Sequence, residues 1–117
     1  MKDFRTLSVW SKSHELTLIV YKLTASFPKE ELFALTNQIR RSCSSIPTNI
    51  AEGCGRESDA DFCRFLQIAF GSANELDYQF ILARDLKYFS EDVYTELYEK
   101  IFEVKRMLAA LIRKVRG

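Results

Sequence analysis

The sequence predicts an all-α fold, an up-down-up-down antiparallel four-helix bundle. In four long segments, apolar residues recur at spacings of three and four, as on one face of a helix. The 117 residues include only 4 Gly and 2 Pro, too few for the turns of a multi-strand β fold, and no segment alternates like a strand. Four such helices joined by short connections pack as a bundle.

Start and stop signals bound the four segments. The predicted helices cover, in order, residues 8–27, 30–53, 58–83 and 90–115. Pro28 ends the first, because proline disfavours helical geometry at the residue before it. The second predicted helix ends at Gly53 and Gly55. Ser58 and Ser90 each precede acidic residues, as N-caps do, so both are expected to begin helices.

Two residues interrupt the helical patterns. Pro47 lies inside the second pattern and has no N–H to donate to the carbonyl of Cys43, so we predict one helix kinked at Pro47. The side chains expected to satisfy the freed backbone groups are nearby hydroxyls: Ser42, Ser44, Ser45 and Thr48. Gly71 lies inside the third helix, where it costs about 1 kcal/mol relative to alanine. A close approach between helices would explain it.

Composition indicates a single domain spanning residues 1–117. Hydrophobic residues make up 47% of the chain, which excludes disorder, and the net charge of +1 predicts no particular partner. The charged start lacks the apolar stretch of a signal peptide, and no apolar run approaches the roughly 20 residues of a membrane span. Cys43, Cys54 and Cys63 form no CxxC pair, so reduced thiols are expected. A cytoplasmic protein without a membrane partner is predicted.

The sequence offers little for catalysis. His14 is the only histidine, so the paired Glu-x-x-His motifs of a di-iron bundle are lacking, and no phosphate-binding glycine loop occurs. We therefore predict no catalytic residue, no metal and no cofactor. A ribonuclease or other hydrolase that depends on His14 is the last-ranked alternative.

Basic residues are the candidate nucleic-acid-binding groups. They are Arg40, Arg41, Arg56, Arg113, Lys114 and Arg116. Such a set can bind phosphates without reading bases. In the other interpretation, the cations at the end of the last helix complement its dipole and the rest are simply solvated.

The aromatic content bears on assembly. Nine Phe, five Tyr and one Trp exceed what one apolar seam of a thin bundle needs. An exposed apolar face would follow, and such faces mark interfaces. We predict self-association as a closed ring or a dimer.

Five stretches resemble one known family, and together the resemblance covers essentially the whole chain. They are similar to the four-helix-bundle proteins encoded in intervening sequences of bacterial 23S ribosomal RNA genes, and they comprise residues 4–10, 27–31, 35–42, 45–53 and 65–76. The most specific stretch is Ile-Pro-x-Asn-Ile-Ala-Glu-Gly, here with Pro47, Asn49, Glu52 and Gly53. In this motif, Asn49 and Glu52 would hydrogen-bond the groups that Pro47 frees.

The resemblance implies a left-handed antiparallel bundle and homopentameric rings. The family includes accessory proteins of diversity-generating retroelements, which bind nucleic acid and a reverse transcriptase, and it implies no catalytic residues. The leading hypothesis is therefore a non-enzymatic, self-assembling adaptor that binds RNA or DNA through its arginines. The alternative is a structural or protein–protein interaction module that binds no nucleic acid.

Overall fold

The structure, a computed structural model, describes residues 2–117 and contains four long α-helices and no β-strand within that range. Met1, the first residue of the predicted domain, lies outside the described residues. The helices are α1 (Ser8–Thr24), α2 (Leu35–Cys54), α3 (Asp59–Asp85) and α4 (Glu91–Arg116). Short 3₁₀ helices occupy Phe4–Thr6 and Lys29–Glu31. The predicted all-α four-helix fold is confirmed.

The helices form a square in which each packs against two others. α2 and α4 both contact α1 and α3, whereas the diagonal pairs do not approach each other among the described residues. The molecule measures 43 × 24 × 19 Å. Arg40 near the start of α2 bonds Thr24 at the end of α1, as antiparallel neighbours would. The up-and-down order, the left-handed twist and the kink at Pro47 stay predictions.

The core draws on all four helices. Leu16, Ile39, Leu66 and Leu108 are each no more than 1% exposed. Burying such side chains is the main force that holds the bundle together.

The three cysteines are buried and free, and burial raises the pKa of the Cys43 thiol to about 12.

The helix starts at Ser58 and Ser90 were predicted correctly, whereas the predicted start of α2 is wrong. Each serine hydroxyl accepts the backbone N–H three residues later, at 3.1 and 3.2 Å. α2 begins at Leu35 rather than residue 30, because residues 29–31 form a 3₁₀ helix. The Glu31 carboxylate accepts the Tyr88 hydroxyl at 2.8 Å and so ties this segment to the α3–α4 loop. α1 ends at Thr24, three residues before the predicted end.

Pro47 is buried in α2, which continues as an α-helix to Cys54. A hydroxyl from α1 contacts the carbonyl that Pro47 frees: Thr17 Oγ1 lies 3.4 Å from the Cys43 oxygen. The Asn49 amide instead donates to the carbonyl and hydroxyl oxygens of Ser45, at 2.8 and 2.9 Å. Glu52 is exposed, and its side chain makes no hydrogen bond within residues 2–117. The predicted local donors are therefore wrong, because the freed carbonyl is buried beside α1.

The close approach between helices occurs at Gly53, where α2 meets α3. A Cβ on Gly53 would lie 2.8 Å from the Phe65 Cβ and 3.0 Å from Phe62 Cδ1. Gly71, for which this role was predicted, is exposed, and a Cβ there would have nothing within 4 Å. The prediction for Gly71 is therefore wrong within a single chain.

Candidate nucleic-acid interface

Arg40 connects α1 to α2 and is only partly available to a ligand. Its Nε donates to the Thr24 hydroxyl at 2.9 Å, and its Nη2 donates to the Tyr21 carbonyl at 3.1 Å. The guanidinium also lies 4.9 Å from the centre of the Tyr21 ring. Because Thr24 is buried, Arg40 serves first as a link between the two helices.

Arg41, the next residue, is exposed and faces a polar groove of about 370 Å³ between α2 and α3. Ser45 and Ser72 meet in this groove, where their hydroxyl oxygens are 2.9 Å apart. Glu75 also lines it. Arg41 has no hydrogen bond or ion pair within residues 2–117, so its five donors are open to a partner.

Arg56 follows α2 and already has partners. Its Nε lies 3.7 Å from the Asp61 carboxylate, and its guanidinium lies 4.7 Å from the centre of the Phe65 ring. Asp61 also accepts a hydrogen bond from Arg64 at 3.0 Å. A phosphate at Arg56 would have to compete with that carboxylate.

The last turns of α4 carry three cations of the predicted set that are as free as Arg41. Arg113, Lys114 and Arg116 are exposed, and none is ion-paired within the described part of the chain. Arg113 and Arg116 border an apolar groove of about 300 Å³ with Phe70. Lys114 borders a different groove with Leu7, next to α1. The positive charge therefore surrounds the end of the helix.

The predicted basic residues do not form one patch. Arg41 shares its groove with Glu75, whereas Arg113 borders Gln67, eight residues earlier along α3. Because a helix rises 1.5 Å per residue, Arg41 and Arg113 lie about 12 Å apart along the bundle, and they face different grooves.

The sequence analysis did not include Arg64 among the basic candidates. Arg64 lines a groove together with Arg116. The signal that could have found it is the pairing of the start of α3 with the end of α4, which brings these two residues together.

The remaining candidates for chemistry in the described residues are possible metal ligands and His14. Residues 2–117 contain no group of three or more His, Cys, Asp and Glu side chains placed to hold a metal. His14 is exposed, and its ring stacks on Trp10 with a centroid separation of 5.1 Å. None of the helices in the described range combines the length and apolar character needed to cross a membrane.

Residues 5–110 match the family described as 23S rRNA-intervening sequence protein. The chain belongs to this family. The resemblance predicted over essentially the whole sequence of this intervening-sequence protein is thereby confirmed.

One solved relative of this intervening-sequence protein comes from Bacteroides thetaiotaomicron VPI-5482. It is a crystal structure of a protein with unknown function from the S23 ribosomal protein family. The two chains are 30% identical and superpose with a TM-score of 0.81, over 90% of this chain and 95% of the other. Among curated proteins, none matches the chain.

Proposed function

We propose that this intervening-sequence protein is a non-enzymatic, self-assembling helical adaptor. The observation that carries the proposal is a set of large apolar side chains, each at least 42% exposed. They are Leu18, Tyr21, Leu32, Phe33, Ile68, Tyr78, Leu86, Tyr98 and Phe102. Scattered exposed apolar residues are ordinary, but rows of them favour contact with another protein surface.

The clearest row lies on α4. The rings of Tyr94 and Tyr98 have their centroids 6.3 Å apart, and those of Tyr98 and Phe102 are 6.2 Å apart. Tyr98 is 44% exposed and Phe102 is 56% exposed. Because residues four apart share a helix face, the row presents a continuous apolar strip that a second molecule could cover.

Self-association is tested by light scattering coupled to size-exclusion chromatography. We expect a mass several times that of the 13.6 kDa chain, and the family resemblance predicts five copies. Burial of the exposed aromatic side chains between copies is the driving force. A mass of one chain at high protein concentration would contradict the proposal.

We propose the end of α4 as the place where the adaptor binds RNA or DNA. Arg113, Lys114 and Arg116 support this, because they are exposed and lack ion-pair partners within residues 2–117. Arg40 and Arg56 are occupied by other contacts and contribute less. Contacts of this kind bind phosphates without reading sequence.

Replacing Arg113, Lys114 and Arg116 together with glutamine is expected to weaken binding to a single-stranded RNA. Three lost phosphate contacts should reduce the slope of log affinity against log salt by about 2, at about 0.7 for each contact. Fluorescence anisotropy over a salt series measures both quantities.

The matched control removes three exposed lysines at the other end of the bundle: Lys22, Lys29 and Lys87. It changes the net charge equally and should keep most of the affinity. Equal losses in both variants would contradict a site on α4.

A second candidate function is a structural or protein-interaction module that binds no nucleic acid. It is favoured by the net charge of +1 and by the acidic partner that Arg56 already has. An oligomer that fails to bind RNA or DNA even at low salt would support this alternative.

A further inference from the structure

The outward side of α3 carries a glycine between exposed apolar residues. Ile68, Gly71, Glu75 and Tyr78 follow one another at spacings of three, four and three, so they lie on one side of the helix. All four are exposed, Ile68 at 42% and Tyr78 at 60%. These four residues are called the α3 face below.

No contact within residues 2–117 accounts for the glycine. Gly71 lies in the middle of a 27-residue helix, where it costs about 1 kcal/mol relative to alanine. A Cβ added there would have nothing within 4 Å, whereas one added at Gly53 would collide with α3. Gly53 is therefore explained by a contact inside the bundle. A contact that explains Gly71 would come from outside the bundle, where a missing side chain lets another backbone come close.

The charges beside the α3 face indicate what kind of surface covers it. Arg41 and Glu75 line the same groove between α2 and α3, and neither is ion-paired within the described residues. Glu75 would repel a polyanion such as RNA or an acidic peptide. A surface that carries unpaired charges of both signs next to apolar residues suits a partner that also carries both.

We infer that the α3 face binds a second copy of this chain, with a helix of the neighbour passing close to Gly71. A second copy supplies exposed apolar residues and charges of both signs, and a net charge of only +1 leaves little repulsion between copies. The inference rests on the self-assembly proposed above and adds the surface through which it occurs.

The replacement Gly71→Gln tests this surface, because it should affect the chain and the assembly in opposite directions. Glutamine is a good helix former, and Gly71 faces open space, so the helical circular dichroism of the chain should be kept or increase. In the assembly, the new side chain would hold the neighbouring helix away. We expect the self-dissociation constant, measured by analytical ultracentrifugation, to rise at least tenfold.

The matched control is Glu96→Gln, at an exposed position of α4 on the side away from both the α3 face and the Tyr94–Phe102 row. It should leave the dissociation constant within twofold of the wild type. If the wild type is oligomeric and Gly71→Gln assembles equally well, the α3 face is not the interface, although self-assembly stands. If the wild type is a monomer, both the interface and the proposed self-assembly are wrong.

Discussion

Replacing Phe80 with alanine is expected to lower the free energy of unfolding by about 3–5 kcal/mol. The Phe80 side chain is fully buried in α3, and its ring meets Phe89 with a centroid separation of 6.2 Å. Alanine would leave a cavity where α3 packs on the loop that leads to α4. Because domains are commonly stable by about 5–15 kcal/mol, a large part of the stability would be lost. Urea denaturation followed by circular dichroism measures the change.

Phe33→Ala is the matched control, since it removes the same side chain from a residue that is 91% exposed. A surface change of this kind should alter the stability of a single, unassembled chain by no more than about 0.5 kcal/mol. Equal losses in the two variants would contradict the described core.

Replacing Gly53 with alanine should lower the free energy of unfolding by about 1–3 kcal/mol, the usual cost of overpacking. The added Cβ would lie 2.8 Å from the Phe65 Cβ, an atom fixed to the backbone of α3, so the two helices would have to separate. The same urea experiment reports the loss.

Gly55→Ala makes the identical change two residues later. The nearest atom to its new Cβ is the Glu52 carbonyl oxygen at 3.4 Å, and the glycine has a φ of −83° that alanine adopts freely. Its stability should stay within about 0.5 kcal/mol of the wild type. A Gly53→Ala protein as stable as Gly55→Ala would show that α2 and α3 do not meet this closely.

The helices were predictable where their signals are local. The repeat of apolar residues along α3 and α4 and the caps Ser58 and Ser90 depend only on neighbours in the chain, and both starts were predicted correctly. The start of α2 was not predicted, because Glu31 resembles a first-turn acid but is hydrogen-bonded to Tyr88, 57 residues away. A contact over that distance leaves no trace in the local pattern.

The candidate site shows the same limit. Arg40 and Arg41 are adjacent and chemically identical, and a rotation of about 100° along the helix decides that the first bonds α1 while the second faces a groove. Gly53 and Gly71 are likewise alike in sequence, and only the packing shows which one lies against a neighbouring helix. Deciding such cases requires knowing which side of a helix its neighbour covers.

The shielded cysteines make this protein convenient for distance measurements. Cys43, Cys54 and Cys63 are all buried, and the Cys43 thiol, with a pKa of about 12, is scarcely ionised at neutral pH and so reacts slowly with maleimides. A single cysteine introduced on the surface would then be the preferred site for a fluorophore or spin label. The spacing between neighbouring molecules could be read by energy transfer without first removing any native sulfur.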